Sequence, residues 1–253
     1  MRKASPTSQS CAPFWHNSFC MFLEKLHRFA SLPSGSARCL LPLFFTLGLS
    51  ALAQQGTAPS VAFTCDFPGS DPSHYGISIA ADGHASYISD GKLAKDSEPD
   101  SPFTEDFTLP AASVAHIFDL VKQAHYFEGK IDSGNKKIAS TGEKTLVYKD
   151  AQKNTTATYN YSLIPAVQEL TTLFQNLSAT LEFGRRIEFE RRYQKLALDE
   201  ELKLLEDMAS RGEVAEMTVI APILQKLVED QSVINTVRAR AQRLLEHPPS
   251  VGK

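Results

Sequence analysis

The apolar residues of this chain change their spacing once, near Pro165, and that change limits the folds open to it. Before Pro165 they alternate with polar residues, as in strands with one buried face. After Pro165 they recur three and four residues apart, as in amphipathic helices. We therefore predict an α+β protein. Residues 61–180 form an antiparallel β-sheet covered by one helix, and residues 181–247 form an all-α segment.

The first predicted hairpin turns at Ala81–Gly83. A three-residue loop with Gly83 in the left-handed conformation pairs residue 79 with residue 85 and residue 77 with residue 87. A two-residue loop would place Tyr87 on the opposite face. The three-residue loop gathers the apolar side chains on one face of the hairpin, and these are Tyr75, Ile77, Ile79, Ala85 and Tyr87.

The second predicted hairpin turns at residues 151–154. A four-residue loop there pairs residue 148 with residue 157 and residue 146 with residue 159. The apolar residues Leu146, Tyr148, Ala157, Tyr159 and Tyr161 then share one face. The other face is polar, which is typical of an antiparallel sheet with one side in water.

A helix over about 110–126 is predicted to cover the apolar face of this sheet. Pro110 suits its first position, and the apolar residues that follow at helical spacing are Val114, Ile117, Phe118 and Val121. His125 continues this stripe. We interpret His125 as a half-buried side chain at the helix C-terminus rather than as a catalytic or metal-binding group.

A long helical pattern begins at Pro165 and is interrupted in the middle. An apolar seam runs through Val167, Leu170, Phe174, Leu177 and Leu181, and it resumes at Leu198, Leu202 and Leu205. Between these stretches the seam positions are Gly184, Glu188, Arg191 and Lys195. One helix over 165–209 would be about 67 Å long. Either the helix breaks near Gly184, or its middle connects two separate packing surfaces.

Four apolar residues in that middle stretch lie off the seam. They are Ile187, Phe189, Tyr193 and Leu196, and they are our candidate partner-binding residues. Large apolar side chains exposed together usually mark an interaction surface. We expect them to contact the C-terminal helices, a second copy of the chain, or another protein.

The end of the chain is predicted to form a helical hairpin. One apolar stripe comprises Val214, Met217, Ala221, Leu224 and Val228, with Pro222 kinking or splitting its helix. The second stripe comprises Ile234, Val237, Ala241 and Leu244. The short joint Asp230–Gln231 makes the two helices antiparallel.

The first 53 residues have the pattern of an export signal. The apolar run Cys39–Ser50 follows Arg28 and Arg38, and Ala51–Ala53 has the small-x-small pattern of a cleavage site. Met21 is an alternative start to Met1. Residues 54–60 are predicted to be a flexible leader and residues 248–253 a loose tail. We expect a periplasmic or secreted protein with no membrane anchor after cleavage.

Charge and cysteine content limit the partners and the disulfide bonds that this chain is expected to have. Without residues 1–53 the chain keeps 21 basic and 28 acidic residues, which argues against nucleic acid as a partner. Cleavage would remove Cys11, Cys20 and Cys39, and we expect the remaining Cys65 to pack as a small buried hydrophobe.

No catalytic, metal or cofactor motif emerges from the sequence. G-x-S-x-G, H-E-x-x-H and C-x-x-C are all absent. The acidic segment 90–106 lacks the glycine and the final glutamate of a calcium loop, so we predict a solvated loop there. The basic residues between 185 and 192 are expected to be neutralised by the pairs Glu182–Arg186 and Glu188–Arg192.

One resemblance rests on these patterns. The order Y-x-I-x-I-x-x-D-G-x-x-x-Y over Tyr75–Tyr87, then a helix ending in Ala124–Phe127, a strand pair and a closing helix resembles an exported bacterial domain family of unknown function. It covers about 61–178. Members of that family typically carry two close cysteines before the first hairpin, whereas this chain has only Cys65 there. The resemblance implies an exported β-meander with helices and no known activity.

Two functions follow as expectations. The first is a non-catalytic periplasmic or secreted protein that binds an unidentified protein partner, or forms a homo-oligomer, through its helical region. The alternative is a hydrolase-type enzyme with a site assembled from His74, His84, His125 and the acidic residues of 90–106.

We predict that the mature protein begins at Gln54, because Ala51–Ala53 precedes it in the manner of a signal-peptidase site. N-terminal sequencing of protein recovered from the periplasm or the medium measures this directly. Recovery of chains in a membrane fraction that still carry residues before position 50 would contradict the prediction.

Overall fold

The computed structural model describes residues 58–93, 102–135 and 137–246. The predicted signal peptide, most of the predicted leader and the predicted tail lie outside the described residues. So do Asp96, Glu98 and Asp100 of the acidic segment. The described residues belong to one compact unit.

Six strands form a single antiparallel sheet. The alternating pattern predicted an antiparallel sheet and the four strands of its two hairpins, but it did not define the first and fourth strands. The strand order of the sheet is β4-β3-β2-β1-β5-β6. The strands are β1 (Ser60–Asp66), β2 (His74–Ala80), β3 (His84–Ser89), β4 (Phe103–Thr108), β5 (Glu143–Lys149) and β6 (Asn154–Tyr159).

The register of the first hairpin is confirmed. Ile77 pairs with Tyr87 and Ile79 pairs with Ala85. Gly83 has φ +93°, the left-handed conformation that the three-residue loop requires. The hairpin therefore presents one continuous apolar face to the interior.

The predicted register of the second hairpin is wrong by two residues. Leu146 pairs with Ala157, and the loop occupies 150–153 rather than 151–154. Asp150 explains the shift, because its Oδ1 accepts hydrogen bonds from the backbone N–H groups of Gln152 (2.7 Å) and Lys153 (2.6 Å). A shift of two residues keeps the same side chains on the buried face, so the core is unchanged.

Strand β4 was missed by the sequence analysis, which predicted a loop through residue 106. Residues 103–108 pair with β3 along their whole length. Phe103 and Phe107 pack against the core beneath the sheet, while Thr104 and Asp106 between them are exposed. The acidic residues around this strand concealed its alternation.

Five helices follow the pattern in outline. They are α1 (Ala111–Gln123), α2 (Pro165–Tyr193), α3 (Leu198–Arg211), α4 (Ala221–Glu229) and α5 (Asn235–Glu246). The described helices include none that is both long and apolar enough to span a bilayer. Helix α1 covers the sheet as expected, and the first half of α2 covers it too. The ring of Phe174 on α2 stacks on Phe63 of β1 with centroids 5.1 Å apart.

His125 is not half-buried, and it does not continue the apolar stripe of α1, so this part of its interpretation was wrong. It lies after the end of α1, is exposed, and has φ 51°. Tyr126 and Phe127 are also left-handed, so the chain reverses its handedness directly after the helix. This turn removes His125 from the apolar stripe and inserts Phe127 into the core instead.

The stretch 165–209 is not one helix, because it divides at residues 194–197 into α2 and α3. Helix α2 nevertheless runs unbroken through Gly184, so a break near Gly184 is wrong, and its middle connects two packing surfaces, as the second alternative expected.

The described residues form two hydrophobic cores, one between the sheet, α1 and the first half of α2, and a second among the C-terminal helices. Along α2, Leu181 is the last residue buried in the first core and Phe183 is the first residue buried in the second. The helix ends at Tyr193, and α3 then returns antiparallel to it, with Asn176 donating a hydrogen bond to the Gly212 carbonyl. The second core is built from α2, α3, α4 and α5.

The C-terminal helical hairpin is present, and it differs from the prediction at two places. Pro222 lies in the first turn of α4, after a short 3₁₀ turn at Met217–Val219, so it splits the predicted stripe rather than kinking a helix. Ile234 is exposed, and its neighbour Val233 is buried in its place. Val237, Ala241 and Leu244 are buried as predicted.

Gly184 is a glycine because another helix approaches it closely. A Cβ atom at this position would lie 2.6 Å from Cγ2 of Ile220, the residue before α4. We predict that Gly184→Ala lowers the free energy of unfolding by about 1–3 kcal/mol, although alanine normally stabilises a helix interior by about 1 kcal/mol relative to glycine. Urea denaturation measures the change.

The matched control for this prediction is a mutant cycle with Ile220→Ala, which removes the clashing methyl group. The double variant should lose less stability than the sum of the two single variants. Additive losses, or a stabilised Gly184→Ala, would show that the close approach is not a steric constraint.

Candidate functional site

The four candidate partner-binding residues differ in how far they are buried. Ile187 is fully buried in the second core, so it contacts the C-terminal helices and is inaccessible to a partner. Phe189 is half-buried. Tyr193 is 71% exposed and Leu196 is 89% exposed. We name Phe189, Tyr193 and Leu196 the aromatic corner, because they surround the point where the chain turns from α2 to α3.

The aromatic corner has a defined geometry. Phe189 and Tyr193 are four residues apart on α2, and their ring centroids are 5.1 Å apart. The helix ends at Tyr193, and the N–H of the next residue, Gln194, still bonds to the Glu190 carbonyl. Leu196 lies in the short connection to α3. The end of the helix therefore holds the two rings together, and Leu196 follows three residues after Tyr193.

The charged side chains around the corner are paired with one another. Glu188 accepts hydrogen bonds from Arg191 (3.0 Å) and Arg192 (2.5 Å), and the Arg191 bond leads the effects that lower the pKa of Glu188 to about 2. Lys195 forms an ion pair with Asp230. The predicted Glu188–Arg192 pair is confirmed. Each of these charges has a partner, although two arginines share the one carboxylate of Glu188, so the corner is an apolar centre with a polar, slightly positive rim.

The predicted Glu182–Arg186 pair is wrong. Arg186 instead donates a 2.6 Å hydrogen bond from Nε to Glu201 on α3, and its guanidinium lies 4.6 Å from the centre of the Phe183 ring. Glu182 turns toward the sheet. The two residues are held by different partners because α3 and the sheet flank α2 on different sides.

A cavity of about 360 Å³ lies between the end of the sheet, α2 and α3. The sequence analysis did not find it. Cys65, Phe67 and Tyr75 come from the sheet and the loop after β1, while Leu204 and Met208 come from α3. The wall formed by α2 includes Ser178, Ala179, Glu182 and Arg186. The only hint in the sequence is the pair Ser178 and Glu182, two polar residues four apart beside an otherwise apolar seam.

Glu182 is the buried acid of this cavity, with 3% of its surface exposed. Its Oε1 accepts hydrogen bonds from the hydroxyls of Tyr87 (2.8 Å) and Ser89 (2.5 Å). Burial raises the pKa of Tyr87, and the negative charge of Glu182 raises it further. Glu182 therefore ties α2 to β3 and brings a negative charge to the cavity wall.

Cys65 and Lys144 form a second buried pair at the sheet end. Cys65 is buried, as predicted, and is the only cysteine among the described residues. Burial raises the pKa of its thiol, and the positive charge of Lys144 opposes that shift. A thiol with a raised pKa stays protonated at neutral pH and is a weak nucleophile. The cavity therefore lacks an activated cysteine.

Lys144 is held by neutral oxygens. Its Nζ donates to Thr141 O, Thr141 Oγ1, Gly142 O and Asn160 O at 2.9–3.2 Å. No ion pair to a described carboxylate accompanies these bonds. The ammonium thus replaces its lost water with hydrogen bonds and fastens the loop before β5.

The residues of the hydrolase alternative are not gathered by the fold. His74 and His84 begin adjacent strands of one hairpin, about 20 Å apart along its length. His74 Nδ1 lies 2.6 Å from Asp66 Oδ1 at the surface, and His125 is exposed elsewhere. Within residues 58–93, 102–135 and 137–246, no group of three His, Cys, Asp or Glu side chains is placed to hold a metal ion.

Glu190 is a buried acid without a complete set of partners. Its Oε2 is buried and accepts no hydrogen bond from the described residues. Burial raises the pKa of Glu190 to about 7, with a further rise from the charge of Glu201 and an opposing effect from Arg186. Glu190 therefore holds a proton in the folded state at a pH where an exposed glutamate has lost it.

We predict that Glu190→Gln flattens the pH dependence of stability. The carboxyl titrates near 4.5 in the unfolded chain and near 7 in the fold. The folded state binds more protons between these values, so the free energy of unfolding falls as the pH rises through this range. Glutamine does not ionise. The variant should therefore be more stable than the wild type above about pH 7.

Urea denaturation at several pH values between about 5 and 8 measures this effect. Glu213→Gln is the control, because Glu213 is exposed and the hydrogen bond from Arg211 lowers its pKa, so it does not titrate in that range. Parallel pH profiles for Glu190→Gln and the wild type would contradict the prediction.

The comparisons with known proteins add no relative. No family model matches the chain, and no curated protein matches it significantly.

Proposed function

We propose that this protein is a non-catalytic binding protein of the periplasm or the extracellular space, and that its aromatic corner contacts a protein partner. The observation that carries the proposal is the exposure of two large apolar side chains three residues apart, Tyr193 at the end of α2 and Leu196 in the connection to α3. Transfer of such side chains from water to an interface gains about 1.5–3 kcal/mol each.

The surroundings of the corner support an interface. Protein interfaces commonly have an apolar centre, rich in aromatic residues, and a polar rim. At this corner the rim residues Glu188, Arg191 and Arg192 already satisfy one another. A partner would therefore not have to neutralise an isolated charge when it covers the apolar centre.

The rigid base of the corner favours binding as well. Ile187, two residues before Phe189, is fully buried in the second core, and Phe189 itself is half-buried. The exposed residues need little ordering when a partner binds, which reduces the entropic cost of association.

The chemistry of the described residues favours binding over catalysis. The histidines of the hydrolase alternative lie apart, and the Cys65 thiol has a raised pKa. Export is supported by the sequence of residues 1–53, in which an apolar run is followed by a cleavage pattern.

The double variant Tyr193→Ser/Leu196→Ser tests this function. Both side chains are exposed, so we expect a free energy of unfolding within about 0.5 kcal/mol of the wild type. We expect association to weaken by at least about tenfold, because aromatic side chains at the centre of an interface contribute most of its energy.

The measurement combines sedimentation velocity of the purified protein with photo-crosslinking in the producing cells from a reactive residue placed at position 193. A concentration-dependent dimer identifies a second copy as the partner, and a crosslink to a different chain identifies another protein. Leu163 is the matched control, because it is also 71% exposed but lies at the other end of α2, about 42 Å away. Equal crosslinking from positions 163 and 193, with unchanged association in the double variant, would exclude the aromatic corner.

A further inference from the structure

The cavity beside α2 is a second site, separate from the aromatic corner. Arg186 on its wall and Tyr193 of the corner are seven residues apart, about 10 Å along the helix. At about 360 Å³ the cavity is within the range of small-molecule sites, about 300–1,000 Å³. Its walls belong to both hydrophobic cores, and ligand sites often lie where two packed parts of a protein meet.

One part of the cavity wall is apolar and suits a ring or a short aliphatic chain. It comprises Phe67, Pro72, Ala179, Phe183, Leu204 and Met208. Phe67 and Leu204 are 39% and 47% exposed, so this part of the wall is open to solvent. It provides the apolar area that the body of a ligand would bury.

The polar part of the wall is rich in hydrogen-bond donors. The residues with N–H or O–H groups are Ser70, Tyr75, Thr141, Gln175, Ser178 and Arg186. The hydroxyls of Ser70 and Ser178 already donate within the protein. The side-chain amide of Gln175 and the two Nη atoms of Arg186 donate to no described residue. These two residues are eleven positions apart on α2, about 17 Å, so free donors lie at both ends of the cavity.

The carboxylates of the lining do not take up these donors. Glu182 is in a buried ion pair with Arg185, which lies 3.9 Å from its Oε2, and its Oε1 accepts two hydroxyl hydrogen bonds from β3. Asp71 is exposed, so water weakens the effect of its charge, and its Oδ1 accepts the backbone N–H of Lys92 at 3.0 Å. The free donors therefore remain available to a ligand that brings acceptors.

Arg186 determines which acceptor suits the cavity best. Its Nε bonds to Glu201 on α3 at 2.6 Å. Arg240 on α5 has the same kind of bond from Nε, to Asp199, and its Nη1 donates to a second carboxylate, that of Glu206. The two arginine side chains are equally buried, with 25% of Arg186 and 24% of Arg240 exposed. At Arg186, however, no described residue supplies the second carboxylate.

Glu190 is the other acid near Arg186, and it does not supply that carboxylate. It forms neither an ion pair nor a hydrogen bond with Arg186. Burial raises the pKa of Glu190 to about 7, with a further rise from the charge of Glu201, so Glu190 is only partly ionised at neutral pH. A ligand can therefore bring a second carboxylate to Arg186 without displacing a group of the protein.

We propose that the cavity binds a small carboxylic acid with an aromatic or aliphatic body. The carboxylate accepts hydrogen bonds from the Nη atoms of Arg186, and the body packs between Phe183, Leu204 and Met208. Arginine suits this task because its planar fork of N–H groups matches the two oxygens of a carboxylate. The inference goes beyond the proposed function, because it assigns a ligand site that does not include the aromatic corner.

The test compares three probes that share a phenyl ring and a three-carbon chain and differ in the end group: 3-phenylpropanoate, 3-phenylpropanamide and 3-phenylpropylamine. Affinities are measured on the full chain by calorimetry or by NMR titration. We expect the carboxylate to bind about tenfold more tightly than the amide, because a hydrogen bond to a charged acceptor is stronger than one to a neutral acceptor. We expect the amine to bind most weakly, because its positive charge is repelled by that of Arg186.

A pair of variants tests the role of Arg186. Arg186→Gln should remove the preference for the carboxylate, while the affinity for the amide stays within about threefold. Arg211→Gln is the matched control, because Arg211 also pairs with a carboxylate, that of Glu213, but lies outside the lining. Both variants lower the net charge by one, so a preference lost only in Arg186→Gln is a local effect.

The position of the carboxylate probe is measured through the methionine methyl groups. The methyl signal of Met208, which lines the cavity, should shift on binding, whereas that of Met217, which is buried outside the lining, should not. Leu204→Trp fills the cavity from its exposed wall and should weaken binding by at least about tenfold. Leu163→Trp, at an exposed position outside the lining, should not weaken it.

Several results would overturn the proposal: no saturable binding of the carboxylate, equal or tighter binding of the amide or the amine, or an equal loss of preference in Arg186→Gln and Arg211→Gln. Carboxylate binding that neither shifts the Met208 signal nor responds to Leu204→Trp would overturn it as well. If Arg186→Gln does not fold, the ranking of the probes on the native chain and the Leu204→Trp result decide the matter. Tyr193→Ser/Leu196→Ser should bind the carboxylate normally, so failure of this site and failure of the aromatic corner are distinguishable.

Discussion

Helix α2 has to satisfy two hydrophobic cores at once, and most of the structure depends on that requirement. Its first half buries Leu170, Phe174 and Leu177 against the sheet, and its second half buries Phe183 and Ile187 among the C-terminal helices. Because the two cores lie on different sides of α2, the apolar stripe has to move around the helix near Gly184. Gly184 has no side chain, and this leaves room for Ile220 to approach the helix. The cavity lies beside this change of side, and the aromatic corner lies at the end of the helix, after the residues that the second core buries.

Buried charge is concentrated along the same helix. Glu182 and Glu190 are both buried acids on α2, but their environments differ. Glu182 is fixed by the hydroxyls of Tyr87 and Ser89, whereas one oxygen of Glu190 is left without a described partner. Unpaired buried groups reduce stability, and they are retained where they serve a site or a specific packing arrangement.

The elements that were predicted correctly from the sequence are those determined by the spacing of apolar residues over a few positions and by the geometry of short loops. The first hairpin followed from Gly83 and from the alternation of Ile77 and Ile79, because both act within a few residues. The second hairpin was shifted because the side chain of Asp150, rather than the apolar pattern, positions its loop. Strand β4 was missed because its ladder with β3 is a long-range interaction and acidic residues mask its alternation.

The candidate site was only partly predictable for the same reason. The off-seam pattern identified Ile187, Phe189, Tyr193 and Leu196 as a group. It could not show which of them the C-terminal helices cover, because that depends on the packing of α4 and α5. The cavity combines Cys65 with Met208, residues that are far apart in the chain, and no local pattern in a single sequence relates them.

A further consequence of the continuous helix concerns cooperativity. Helix α2 runs without interruption from the first core into the second: it continues through Gly184 and has no proline after Pro165. If the C-terminal helices detached, Ile187 and Phe183 would be exposed on a helix whose other half remains packed on the sheet. The two cores are therefore coupled through a shared element, so loss of one removes support from the other. Such an arrangement favours a single unfolding transition over the separate transitions of two independent domains.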